Sequence, residues 1–215
     1  MDTSPENRAA IYRITLLRHG ESVGNAGHYH QGQSDFDLTG KGRDQSRALA
    51  NRWRKEGVHF DVLLSSPLAR ARQTAEILAE ALSVEIEYDP VWMERNSGLL
   101  TGLHETEAAA RFPMPEFLNP YQPIAESGEG DWELYLRAGR AVLNLLRRPA
   151  GSYLIISHGG LLNRVLYVVL GIAPQANFQG ASFQFRNTAF AALEYDPLRH
   201  TWLLERLNDC EHWKD

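Results

Sequence analysis

Five residues at four places in this 215-residue chain carry chemistry when taken together. Arg18-His19 precedes Gly20, Arg70 follows Ser65-Ser66-Pro67, Glu94 precedes Arg95, and Ser157-His158 precedes Gly159-Gly160. An arginine guanidinium grips phosphate oxygens through paired hydrogen bonds. One histidine can attack phosphorus and form a covalent phosphohistidine. A second can hydrogen-bond the equatorial oxygens and stabilise charge in the transition state. A glutamic acid can protonate the leaving oxygen and then deprotonate water. Nucleophile, charge clamp and acid/base are thus supplied with no metal or cofactor. The residue types alone leave open whether His19 or His158 is the nucleophile.

These residues can act together only if the fold brings them together. Branched and aromatic runs predict strands at Ile11–Leu17, Asp61–Ser65, Val84–Tyr88 and Tyr153–Ile156. Helices are expected between them. One runs from an N-cap at Thr39 to a stop at Gly57; another starts at a Ser66 N-cap with Pro67 in its first turn. Further helices are predicted at Glu105–Arg111, Trp132–Arg147 and Gly160–Leu170, and late strands at Thr188–Tyr195 and Thr201–Leu207. Alternating strands and helices imply an α/β fold, a three-layer α/β/α sandwich whose mostly parallel sheet is covered on both faces. The late strands would add an antiparallel edge. Ligands in such sheets bind beyond the C-terminal ends of the strands. The two Arg, two His and one Glu all stand just after predicted strands.

Composition sets the outer bounds. Hydrophobic residues make up 43% and charged residues 23%, which suits a globular chain and argues against disorder. The formal charge of −5 disfavours nucleic acid and anionic membranes as partners. Nineteen of the 22 basic residues are Arg, the side chain suited to planar recognition of phosphate. Residues 85–133 hold 11 acidic and two basic groups, an acidic block that contains Glu94. A single cysteine, Cys210, excludes an internal disulfide and a Cys-rich zinc site. His28-Tyr29-His30 has the spacing of a metal pair but lacks further ligands nearby, so surface histidines are expected. No apolar run reaches transmembrane length, and MDTSPENRAA has no apolar signal region. Residues 1–10 are expected to be a flexible leader, residues 11–215 a single domain, and the compartment cytoplasmic.

LLRHGES at Leu16–Ser22 resembles the signature of the histidine phosphatase superfamily, the phosphoglycerate mutase-like family. Asn25, Gln31-Gly32, and Asp37-Leu38-Thr39 with Gly42 follow in that family's order. SSPLARARQTAE at Ser65–Glu76 resembles the second signature and singles out Arg70 over Arg72. Glu94 with Gly98 and Gly102, Ser127-Gly128-Glu129, and SHGG at Ser157–Gly160 complete the match. The resemblance implies a phosphoglycerate mutase-like fold with His19 as phosphoryl acceptor. It implies a phosphate pocket of Arg18, Arg70, His158 and Asn25, Glu94 as proton donor, and Gln31, Gly32 and Gly159 as further substrate contacts. The implied partner is a small-molecule phosphate ester; a homodimer is admitted.

Two activities share this machinery. Glu94–Leu103 is close to the form seen in the mutases. Mutases, however, carry a Tyr where this chain has Ser97 and a Lys where it has Glu105. They also surround the pocket with extra cations, whereas residues 96–128, read as a lid-like excursion, contain one basic residue, Arg111. Glu105, Glu107, Glu116 and Glu126 would repel a substrate carboxylate if they lined the entrance. The expectation is a metal-independent phosphomonoesterase acting through phosphohistidine on a small phosphorylated metabolite. A cofactor-dependent phosphoglycerate mutase is the alternative. A third reading, an inactive phosphate-binding regulatory protein, is disfavoured because His19 and Glu94 are both present. FPMPEFLNPY at Phe112–Tyr121 would either offer the leaving group an apolar face or pack the excursion onto the domain.

Overall fold

The computed structural model describes residues 11–214; the leader expected at residues 1–10 lies outside them. The elements in chain order are β1 (Tyr12–Arg18), α1 (Val23–Ala26), α2 (Gly40–Glu56), β2 (Val62–Ser65), α3 (Ala69–Leu82) and β3 (Ile86–Tyr88). They continue with α4 (Glu105–Arg111), α5 (Asp131–Leu146), β4 (Ser152–Ser157), α6 (Gly159–Leu170), β5 (Phe190–Asp196) and β6 (Thr201–Asp209). One six-stranded sheet has the order β3-β2-β4-β1-β5-β6. The pairs β3-β2, β2-β4 and β4-β1 are parallel, and β5 and β6 add the antiparallel edge.

The sheet is buried on both faces because its central strands are apolar on both. Along β1, Leu16 packs into one core with α5 and α6 residues such as Leu134 and Leu162. Its neighbour Leu17 packs into the other, with Leu49 of α2 and Leu78 of α3. Successive strand side chains point to opposite faces, so this split follows from the pleat. The three-layer α/β/α reading is therefore what the chain forms.

Register brings the chemistry to one edge. Arg18 stands opposite Ser157 across β1-β4, and Ser65 opposite Ile156 across β2-β4. The central parallel strands thus end side by side, with His19, Ser66 and His158 as the next residues.

Two local expectations need correction. Ser66 does not cap α3: the N-cap position is Leu68, and the helix starts at Ala69. The Ser66 hydroxyl is instead 2.8 Å from His158 Nε2. Thr188 does not begin a strand either; it sits in a turn, and β5 starts at Phe190. The Thr39 N-cap is as expected, its side chain accepting from Gly42 N–H. So is the Gly57 stop, left-handed at φ 67°.

Candidate active site

His19 is 2% exposed and follows β1 directly. Its backbone N–H donates to Ser157 O (3.1 Å). Its Nδ1 lies 2.7 Å from Gly20 O, and a carbonyl can only accept, so Nδ1 carries the proton. The Nε2 lone pair is then available for chemistry. His158, fully buried, lies with its ring centroid 5.0 Å from that of His19. Burial, reinforced by Arg70, holds both imidazoles well below the usual histidine range, so both are neutral at pH 7.

Arg70, in the first turn of α3, is 1% exposed. Its two terminal nitrogens donate to Ser34 O (2.9 Å) and Gly32 O (2.8 Å). Burial pushes its pKa down to about 10, opposed by Glu94 and Asp35. Arg18 donates to Phe185 O at 2.7 Å. Gly159 opens α6 beside it: a Cβ there would stand 3.8 Å from Arg18 Cδ.

Buried donors normally find partners. Here Arg18 Nε, Arg70 Nε and His158 Nδ1 are buried with none among the described residues. For His158 the assignment that satisfies its neighbours is a single one. Ser66 Oγ accepts from Leu68 N–H (3.3 Å) and gives its own proton to Nε2, leaving Nδ1–H as a donor. Three donors near neutral His19 are thus suited to an anion with several oxygens.

Glu94 lies at the N-terminus of α6. Its carboxylate accepts from Arg95 N–H (2.8 Å), Gly160 N–H (3.1 Å) and Leu161 N–H (3.1 Å). A Cβ at position 160 would come 2.5 Å from Glu94 Oε1, so a larger residue there would displace the carboxylate. The Glu94 carbonyl is held by Gln33 (2.9 Å) and Arg137 (3.1 Å). Its charge acts on both Arg18 and Arg70.

Asn25 lies in α1, and Gln31 and Gly32 lie in the loop that follows it. Asn25 closes a capping box with Ser22, and its Oδ1 also accepts from Asn187 (3.1 Å). Gln31 Oε1 accepts from the Ser22 hydroxyl (2.7 Å), so that oxygen braces α1. Gly32 takes φ 48°, and a Cβ there would meet Thr101 Oγ1 at 2.7 Å. All nine residues singled out in the sequence are therefore linked, directly or through one partner.

Ser66, Asn187 and Arg137 join the site although sequence reasoning passed them over. Ser66 stood at a strand end, where the catalytic signal was strongest, but a Ser-Pro step also looks like a helix start. Arg137 lies in mid-helix and carries no local signal. Part of the acidic block is paired with arginines. Glu129 pairs with Arg137, and Asp131, 3% exposed, pairs with Arg95 and Arg164. These acids build the scaffold behind Glu94. Glu105 pairs with His28 at 3.5 Å beside the Asn25–Gly32 segment, and Glu107 with Arg111. Met114, Phe117 and Tyr121 of the excursion are exposed, and Tyr121 stacks on Trp132. Among the described residues no group of three or more His, Cys, Asp or Glu could hold a metal ion. Among the described residues no helix is long and apolar enough to cross a membrane.

The model of the histidine phosphatase superfamily (branch 1) matches residues 14–210, and the chain belongs to that superfamily of enzymes. It is 33% identical to a probable phosphoglycerate mutase GpmB of Yersinia enterocolitica, over 94% of this chain and 95% of that protein. A second protein of that description, from Enterobacter sp., is 32% identical over the same shares. Among solved structures, a putative alpha-ribazole-5'-P phosphatase from Escherichia coli superposes with a TM-score of 0.80 at 22% identity, covering 93% of this chain and 97% of that one. Bacillus stearothermophilus YhfR gives 0.79 at 24%, covering 94% and 98%. These structural likenesses concern the fold.

Proposed function

We propose that the protein is a phosphomonoesterase working through a phosphohistidine, on a small phosphorylated metabolite and without a metal ion. The observation that carries this reading is the set of three unpartnered buried donors, on Arg18, Arg70 and His158, around a neutral His19 whose Nδ1 is protonated. His19 Nε2 attacks phosphorus as the ester oxygen leaves with the proton of the Glu94 carboxyl group. Glu94 then takes a proton from water, which attacks the phosphohistidine, releasing inorganic phosphate and restoring His19. Arg18, Arg70 and His158 hold the phosphoryl oxygens in both steps, with Asn25 and the Gly159 amide beside them. Gln31 and Gly32 shape the loop that borders the leaving group.

Hydrolysis is preferred over transfer within a phosphoglycerate because residues 96–128 supply one basic residue, Arg111, and it is paired with Glu107. A mutase must hold a carboxylate and up to two phosphates. The second reading, phosphoglycerate mutase, is favoured by the description carried by the relatives at 32–33% identity.

A panel of phosphorylated metabolites separates the two, assayed in EDTA for released phosphate, with 3-phosphoglycerate included and formation of 2-phosphoglycerate followed. Hydrolysis of panel members without isomerisation is the expected result. Fast isomerisation with slow hydrolysis overturns the ranking, and a requirement for divalent metal overturns the mechanism.

A further inference from the structure

A strained turn lies directly behind His19. Ala189 N–H donates to Arg186 O (3.0 Å), closing a turn over Asn187 and Thr188. Thr188 has φ 57°, a conformation that such turns usually assign to Gly or Asn. A β-branched residue there is strained, and this one is fully buried. Strain of this kind persists only where the surroundings over-determine it.

Several of the bonds that hold it run toward the candidate nucleophile. Thr188 N–H donates to Arg18 O (3.1 Å) and His19 O (3.3 Å). Asn187 Nδ2 donates to the same His19 O (3.0 Å) and to Asn25 Oδ1 (3.1 Å). The turn therefore fixes the 19–20 peptide, and the next carbonyl along, Gly20 O, is the one that holds His19 Nδ1. The Thr188 hydroxyl gives its single proton to Asn187 O (2.7 Å). His212 Nε2, 2.9 Å from that hydroxyl, is then the donor. Burial and Arg52, opposed by Asp209, push His212 down to about 4, so it is neutral at pH 7.

We propose that His212, Thr188 and Asn187 are positioning residues: the segment after β6 locks the strained turn, and the turn sets the His19 backbone and the Asn25 amide for phosphoryl transfer. The proposal rests on the reading of His19 as nucleophile. A glycine at 188 would relieve the backbone but lose the hydroxyl that joins the turn to His212, which explains why threonine serves there.

The test compares His212→Ala, His212→Gln, Thr188→Ser and Thr188→Gly in the full chain. It measures kcat and KM on an aryl phosphate per folded molecule, with Tm and the imidazole 15N spectrum of His19. His212→Ala is expected to lower kcat about tenfold with KM within about twofold, the scale of a small misplacement of a reacting group. His212→Gln, which keeps an N–H donor, should recover most of it. Thr188→Ser should retain activity, and Thr188→Gly should lose it despite its relaxed backbone. Wild-type kcat in His212→Ala or Thr188→Gly, or a fall in Tm with unchanged kcat per folded molecule, overturns the proposal. If Thr188→Gly fails to fold, the two His212 variants decide. If the wild type turns over no phosphate ester, the reaction assigned to His19 fails and the spectra decide the positioning. A His19 Nδ1–H signal altered by His212→Ala but not by His212→Gln then supports it, and identical spectra overturn it.

Discussion

His19 Nδ1 lies 2.7 Å from Gly20 O, so a backbone carbonyl one residue away selects the tautomer of the proposed nucleophile. The selection costs no second side chain. It also leaves His19 without an acidic partner to raise its pKa, while burial, Arg70 and Arg18 lower it well below 6.5.

Activity should therefore be insensitive to pH where an ordinary histidine titrates. An exposed nucleophilic histidine would lose half its neutral form near pH 6.5. With both His19 and His158 held neutral in the free enzyme, kcat/KM, corrected for titration of the substrate phosphate, should stay within about twofold from pH 7.5 to about pH 6. A half-loss centred near 6.5 would show that a histidine titrates in the working enzyme at its ordinary value.

Stability should show the same groups with the opposite visibility. The folded pKa values of His19 and His158 are depressed, so the unfolded chain binds more protons below about pH 6.5. Their contribution is fully present above that pH and is lost as pH falls. Each gives a slope of about 1.4 kcal/mol per pH unit there. Urea unfolding at pH 7, 6 and 5 checks this; because His212, lowered to about 4, adds a slope of the same sign, His19→Ala should remove about a third of the total.

Glu94 meets two backbone N–H groups at the start of α6 and a third from Arg95. Its value as an acid depends on how badly the leaving oxygen needs a proton. Glu94→Gln should slow alkyl phosphates by about 10²–10³-fold, within the usual range for general acid–base catalysis. Aryl phosphates, whose leaving groups are stable anions, should lose less than about tenfold in the phosphorylation step. Equal losses in single-turnover rates would remove general-acid catalysis from the role of Glu94.

The sequence made the candidate site more legible than its supports. Arg18, His19 and His158 follow central strands, where chain direction alone sends ligands, and short signatures mark Arg70 and Glu94. The elements were legible where periodicity and caps agree, as in α2 between Thr39 and Gly57. Ser66 was misread because helix capping and side-chain hydrogen bonding use the same hydroxyl, and only tertiary structure decides which. Thr188 was misread because β-branched residues favour strands, and nothing local announces a positive φ at threonine. Arg137 reaches Glu94 across 43 residues of chain and Asp131 reaches Arg95 across 36, which no window of sequence spans.

Ser66 gives a prediction with a sign. Its hydroxyl directs His158 to the tautomer whose Nδ1–H is free for a phosphoryl oxygen. Ser66→Ala removes that direction without adding volume. We expect vanadate inhibition and kcat each to weaken about tenfold, less than the roughly 10²–10³ for removing a donor outright, because the donor stays and only its direction is lost. Unchanged vanadate affinity would mean that His158 donates without help from Ser66.

The last prediction concerns the scaffold behind Glu94. Asp131, 3% exposed, receives Arg164 through two bonds of 2.9 Å each and Arg95 through one of 2.6 Å. Replacing it by asparagine leaves two arginines facing a neutral group in a buried place. Breaking such a pair costs about 3–5 kcal/mol. For a chain of this size each kcal/mol moves Tm by roughly 2–4 °C, so Asp131→Asn should melt at least about 6 °C lower. Arg95 follows Glu94 directly, so loosening it should also disturb the carboxylate that accepts Arg95 N–H. Asp131→Asn should accordingly lower kcat more on alkyl than on aryl phosphates at temperatures where it is fully folded. A drop in Tm with no such difference would make Asp131 a purely structural anchor.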